Sequence, residues 1–289
     1  MDIKKLNEQY WLNRRVILAS MHQKETAVET ALSLVGLTLV VAKNIDTDSL
    51  GTFSGEKERE LNPYETALAK IAMAKVYYPN DDLFLASEGS FEPHYAVPML
   101  TVNTELLVLK DEKHNHIITG NEVTIETHFY KGAIDNEITL QAFAEKSNFP
   151  DYGIILKVET SEGLLKAVWK NATDFTQLLE QFEEAKQVGN TIFAETDLRA
   201  FKNPTRMQQI GKAALKLVSN MQSFCPQCQS PGFAVVRTQK GLPCEFCGLP
   251  TESVKALVKK CHNCGFEEVH QRTDGKLTED PMYCGNCNP

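Results

Sequence analysis

Eight cysteines, all beyond residue 224, carry the clearest chemistry in this sequence. They form four Cys-x-x-Cys pairs, Cys225/Cys228, Cys244/Cys247, Cys261/Cys264 and Cys284/Cys287, separated by 15, 13 and 19 residues. Two thiolates on one tight turn can grip one ion, so repeated pairs of this kind indicate tetrahedral metal sites, usually zinc, and not a disulfide framework. Eight thiolates supply two such sites. The stretches CPQCQSPG, CEFCGLP, CHNCGF and CGNCNP each place Gly or Pro near the second cysteine, as a sharp knuckle requires. Four thiolates leave no open coordination position, so both metals are expected to be structural. His262 and His270 are not needed as ligands. Pairing the knuckles in sequence gives two zinc ribbons in tandem; pairing first with third and second with fourth gives a cross-braced module. Sequential pairing is the preferred expectation.

Metal ribbons often contact nucleic acid, and charge tests that role. Residues 222–289 hold seven basic and seven acidic side chains, and each tetrathiolate centre adds further negative charge. A phosphate-backbone binder is clearly positive, so this region carries no strong nucleic-acid footprint and suits a protein contact or a stabilising role. Just upstream, residues 198–221 carry Arg199, Lys202, Arg206, Lys212 and Lys216 and no acid. Asn203 and Pro204 read as the cap and first turn of a helix reaching Met221. Its apolar residues Met207, Ile210, Ala214, Leu217 and Met221 recur at helical spacing, which leaves the basic side chains mainly on a solvated face. Arg199 and Arg206 are the candidates for a polyphosphate contact, because a guanidinium can hold phosphate oxygens bidentately.

A third set of polar residues stands at the ends of apolar segments. Ser20, His22 and Lys24 follow RVILA, where a helix beginning at Glu25 offers free N–H groups to an anion. Glu65 and Lys70 lie on one helix, about 140° apart around it. Glu88 closes the strand LFLAS, and Gly89 and Ser90 are expected to open a loop, a position that suits a magnesium ligand. There is no GxxxxGK[ST] loop, GxSxG elbow, HExxH or GxGxxG, and no cysteine precedes residue 225 for thiol catalysis.

The elements that must hold these residues alternate. Strands are expected at Arg15–Ser20 and Leu37–Ala42 with a helix at Glu25–Leu34 between them. Asn62 and Pro63 open the next helix, whose apolar face carries Ala67, Leu68, Ile71 and Val76. Further β segments are expected at 83–88, 105–110, 116–119 and 123–129. A helix near 140–146, strands at 153–158 and 164–168, a helix at 174–187 and an edge strand at 192–195 follow. The mixture predicts an α/β or α+β domain with a mixed central sheet over residues 1–197, a basic connecting helix at 198–221 and a small two-metal domain at 222–289.

In order and together, these segments resemble the inosine/xanthosine triphosphate pyrophosphatase superfamily, over about residues 15–186. LASMHQK is similar to that family's opening strand and turn, placing Ser20, His22 and Lys24; ETALAK matches its E-x-A-x-x-K helix; LFLASEGSF matches its acidic strand end. The similarity is closest to the xanthosine/inosine triphosphatase branch. The chain departs from the pattern at His22, where the family has Asn, and in the single carboxylate at Glu88. The resemblance implies magnesium-dependent hydrolysis of a nucleoside triphosphate or related phosphoanhydride, with non-standard purine nucleotides as substrates. It implies metal held by Glu65 and Glu88, Lys24 and Lys70 on the phosphates, Ser20 on a phosphate oxygen, Asp46 and Asp48 as spare carboxylates, and a homodimer. The alternatives are a nucleotide- or ligand-binding protein that has lost the reaction, and a zinc-ribbon adaptor docking a protein or RNA partner. The whole chain, with its DTDSLGTFSGE loop and cysteine-rich tail, is also similar to a bacterial family of two-domain proteins.

The 289 residues, 42% hydrophobic and 24% charged with net charge −8, exclude collagen, coiled coil and wholesale disorder. The longest apolar stretch, residues 31–42, falls short of the roughly 20 residues of a membrane helix. The polar start MDIKKLNEQYWLNRR lacks a secretory apolar core, and the expected location is cytoplasmic.

Overall fold

The computed structural model describes residues 2–21, 23–51, 60–95, 97–160, 162–189 and 191–289. The chain divides into two compact units, Trp11–Val218 and a second built from Met1–Tyr10 with Ser219–Pro289. The amino-terminal helix α1 (Ile3–Tyr10) thus groups with the cysteine-rich segment, a boundary that differs from the expected 1–197 domain. Its Tyr10 ring lies 5.9 Å from that of Phe224.

In the larger unit, β1 (Arg15–Ala19), α2 (Glu25–Ser33), β2 (Thr38–Val41), α3 (Pro63–Tyr77) and β3 (Leu83–Pro93) follow one another. The long hairpin strands β4 (Thr101–Asp111) and β5 (His116–Thr124) complete a five-stranded sheet of order β2-β1-β3-β4-β5. The first three strands are parallel and the last two antiparallel, so the sheet is mixed. The first expected segment, 116–119, and the start of the second, 123–129, lie on the single strand β5, which ends at Thr124 and leaves 125–129 outside any strand.

Asn62 caps α3 by accepting from the Glu65 N–H at 2.9 Å, and Glu65 reaches back to the Asn62 N–H. This capping box satisfies two donors that the first helical turn leaves open. Ala67, Ile71 and Ala74 then pack against Phe84, Ala86 and Val108, while Val76, expected on the apolar face, is 74% exposed.

The remaining strands, β6 (Lys131–Ala133), β7 (Ile154–Glu159), β8 (Leu165–Trp169) and β9 (Ile192–Thr196), form a second sheet of order β6-β9-β7-β8. α4 (Glu137–Lys146) and α5 (Phe175–Val188) cover it through Leu140, Phe143, Leu178 and Phe182. The strand at 192–195, expected at an edge, is central, with β6 on one side and β7 on the other. β9 is short but alternates Ile192, Ala194 and Thr196 toward a covered face, which suits an inner position.

α6 (Pro204–Met221) starts as expected, with Asn203 Oδ1 accepting from the Arg206 N–H at 2.9 Å. Ile210, Ala214, Leu217 and Met221 are fully buried. The helix lies hard against β5. A Cβ at Gly120 would stand 2.3 Å from the Leu217 nitrogen and 2.5 Å from the Ala213 carbonyl oxygen, so only glycine admits this approach.

In the smaller unit, β10 (Ala234–Lys240), β11 (Val254–Lys260) and β12 (Glu267–Gln271) form an antiparallel meander. β10 pairs with β11 from Ala234↔Lys260 to Lys240↔Val254.

Candidate phosphate-binding cluster and metal centres

The cysteines assemble into two groups, Cys225, Cys228, Cys261 and Cys264 in one, and Cys244, Cys247, Cys284 and Cys287 in the other, with ligand atoms in each within 4.8 Å of one another. Pairing is therefore interleaved, which corrects the expected sequential order. The cause is the meander. A strand of seven residues carries the chain roughly 23 Å before the next knuckle. Consecutive knuckles accordingly stand at opposite ends of the sheet, and alternate ones meet. Each knuckle turn closes a backbone hydrogen bond from the residue after its second cysteine to the first cysteine's carbonyl, as Gln229 N–H does to Cys225 at 2.9 Å and Gly248 N–H to Cys244 at 2.9 Å. Cys225, Cys244, Cys261 and Cys284 are buried, and Phe233 and Phe266 pack against the first group. Asn263 Nδ2 lies 3.8 Å from the Cys228 sulfur and donates to Ser230 Oγ at 2.9 Å. These side chains orient the ligands from outside the thiolate set.

In the larger unit, charged residues converge on β3 from several elements. Glu88 and Gly89 lie inside this strand and not at its end, because β4 pairs with β3 from Leu83↔Asp111 through Pro93↔Thr101. Glu88, two residues beyond Ala86, shares the face that packs on α3, and there the ammonium of Lys70 pairs with its carboxylate. Both are buried, with Glu88 2% exposed.

The opposite face of β3 holds a second pair. Glu105, directly across from Gly89, takes the Arg206 Nε–H at 2.7 Å, and Asn103 Nδ2 donates to the same oxygen at 2.9 Å. Arg206 Nη1 donates to the Leu198 carbonyl at 2.5 Å. A Cβ on Gly89 would come within 2.4 Å of Arg206 Nη2 and 2.6 Å of Glu105 Oε1, so this glycine makes room for the pair. Its backbone does not need the left-handed region.

Lys24 completes the group. It occupies the cap position of α2, whose first turn has no side-chain cap. β1 pairs with β3 only as far as Ala86, and Lys24 Nζ donates to the carbonyl of the next residue, Ser87, at 2.8 Å. The ammonium is buried and has no carboxylate partner among the described residues. Burial, with the charges of Arg206 and Lys70 against those of Glu88 and Glu105, pushes it down to about 7. Ser20, at the end of β1, is also buried.

The other sequence candidates stand apart from this cluster. Glu65 is exposed and engaged in the α3 cap. Asp46 caps a short 3-10 turn at Thr47–Leu50 through the Asp48 and Ser49 N–H groups. Arg199 is held by Asp197 and by Asn171 Oδ1 at 2.7 Å, and Arg206 is 2% exposed on Glu105. Neither arginine lies free on a solvated face, which corrects that expectation: the carboxylates of Asp197 and Glu105 occupy the forks proposed for phosphate. Lys212 and Lys216 do lie on the exposed side, opposite Glu126 and Glu122. His22 lies outside the described residues. Sequence reasoning missed Glu105, although its alternation with the buried Leu107 and Leu109 marked an acid in an apolar row.

Beyond Glu88 the same strand lines a cavity of about 500 Å³ through Ser90, Phe91 and Pro93, facing Phe129, Lys157 and Glu195. Lys157 and Glu195 pair at 2.5 Å.

Residues 71–289 match the family described as Domain of unknown function (DUF6671). The chain belongs to that family. Among solved structures it is similar to one titled crystal structure of protein VC0702 from Vibrio cholerae, at 10% identity and TM-score 0.34, over 71% of this chain and 93% of that one. No curated protein matches it. The DUF6671 match takes in α6 and both cysteine groups, and begins within α3, after Lys70.

Proposed function

We propose that the Trp11–Val218 unit binds a phosphorylated ligand, a nucleoside triphosphate or related phosphoanhydride, with Lys24 as the phosphate contact. The observation that carries this reading is the charge inventory of the cluster. Lys70 is matched by Glu88 and Arg206 by Glu105, which leaves Lys24 a buried amine hydrogen-bonded to the Ser87 carbonyl and hydroxyl, with no carboxylate of its own among the described residues. A buried charge without a counter-ion is costly, and an anion arriving there relieves the cost. The uncapped first turn of α2 adds N–H donors beside it. The cavity farther along β3 is within the roughly 300–1,000 Å³ that small-ligand sites occupy, and its two phenylalanines suit a flat ring.

Hydrolysis is the second reading, favoured by Glu88 on the strand beside Lys24. The residues present do not form a magnesium cage: Glu65 is spent on the helix cap, Glu88 on Lys70, and the groups of three or more ligating side chains among the described residues are the two cysteine sets. In the smaller unit we assign two structural zinc ions to the thiolate groups, whose four-ligand, all-sulfur donor set suits that metal.

Calorimetric titration of the full-length, zinc-loaded chain with pyrophosphate and with a panel of standard and deaminated nucleoside triphosphates tests the proposal. Saturable binding that Lys24→Gln weakens at least tenfold is expected. A parent protein that binds none of these compounds would overturn it. Pyrophosphate release in the same panel, with and without magnesium, separates binding from hydrolysis.

A further inference from the structure

We propose that the buried Arg206–Glu105 pair is a positioning element for Lys24: it fixes a second cation near the Lys24 amine, so that Lys24 takes up its proton together with the anion it binds. The inference rests on the reading of Lys24 as a phosphate contact, but its first test does not.

Three observations place the pair. Lys24 is anchored at Ser87, and Gly89, two residues along and on the same face, lies under the Arg206 guanidinium. Ser87 and Gly89 are about 7 Å apart along the strand, and among the charges that act on Lys24 that of Arg206 is the foremost. The guanidinium is fixed: Glu105, the Leu198 carbonyl and the Phe91 ring at 5.9 Å hold it, and Asn103 fixes Glu105 in turn. The groups that face Lys24 are therefore Arg206 from α6, Glu105 from β4, Lys70 from α3, and Glu88 and Ser87 from β3. Two cations oppose its charge and two carboxylates favour it, with the effect of Arg206 exceeding that of Glu105. In a buried setting such neighbours move a titration by about one to three pH units.

The test compares two variants that a purely structural role would affect alike. Glu105→Gln leaves the guanidinium uncompensated, and the Lys24 midpoint should fall. In Arg206→Met combined with Glu105→Gln the whole pair is gone, and the midpoint should rise by about one unit. The midpoint is read from the side-chain carbon resonance of Lys24 in the full chain with labelled lysine, assigned by Lys24→Arg. Where Glu105→Gln fails to fold, Arg206→Lys, which keeps the cation, should hold the parent midpoint while the double variant shifts. Midpoints that move in one direction together, or not at all, would overturn the proposal. In the same variants pyrophosphate affinity should fall with rising pH from the midpoint measured for each. Shifted midpoints without pyrophosphate binding would leave the tuning intact and sink the phosphate reading instead.

Discussion

Lys24 shows how one side chain can set a protein's response to pH. Its amine titrates near 7 in the folded chain against 10.5 for an ordinary lysine. Between those values the unfolded chain holds a proton that the folded chain has released, so this group's contribution to stability rises as pH climbs from about 7 toward 10.5. Below 7 the burial penalty is present in full. Lys24→Met removes it and should be more stable than the parent protein at pH 6. The advantage should narrow by on the order of 2 kcal/mol between pH 7 and 9, as two units of lost linkage require. Urea denaturation of both proteins at the two pH values checks this, and an advantage that does not change with pH would contradict the shifted amine. Gly89 belongs to the same scale. The sequence offers it as a loop opener, but its physical task is to lack a side chain where Arg206 and Glu105 meet.

At the scale of elements, β3 and α6 decide what the cluster is. β3 was expected to stop at Glu88, yet it continues to Pro93 because β4 offers a full-length partner. The continuation carries the chain from the charged cluster to the aromatic cavity on one rigid strand. α6 brings Arg206 to the cluster, and its seat on β5 depends on Gly120. Gly120→Ala would set a methyl group against helix backbone, which cannot swing aside as a side chain can. We expect a loss of about 1–3 kcal/mol, the usual cost of overpacking. Because α6 carries Arg206, the Lys24 midpoint should move in this variant too. Chemical denaturation and the lysine resonance together check both effects; a stable variant with an unmoved midpoint would show that α6 tolerates displacement.

For the whole molecule, the prediction concerns metal. The full-length chain should bind two zinc ions, and each thiolate group should be separable because it draws on its own four cysteines. Cys264→Ser should lower the stoichiometry to one, as should Cys284→Ser, while combining Cys264→Ser with Cys261→Ser should do no more than either alone. Under sequential pairing the same two residues would also share a site, so the deciding comparison is Cys228→Ser with Cys261→Ser: one metal lost if interleaved, two if sequential. Metal analysis of the purified variants reads this directly. A helix long and apolar enough to cross a membrane is absent among the described residues.

Much of this was legible from residue order. The four knuckles, the capped starts of α3 and α6 and the strand β1 rest on local chemistry: ligand spacing, side-chain caps and apolar periodicity act within a few residues, so sequence alone determines them. The partners were not legible. Which knuckle meets which depended on strands β11 and β12 turning the chain back, and whether Arg206 faces solvent or Glu105 depended on how α6 seats on β5. Glu88 lies within a strand only because β4 runs beside it. Such outcomes are set by contacts between residues as much as 101 positions apart, the separation of Glu105 and Arg206. A local pattern holds no information about a partner so distant, and burial, which decides whether a charge is a site or a salt bridge, exists only once those distant segments have packed.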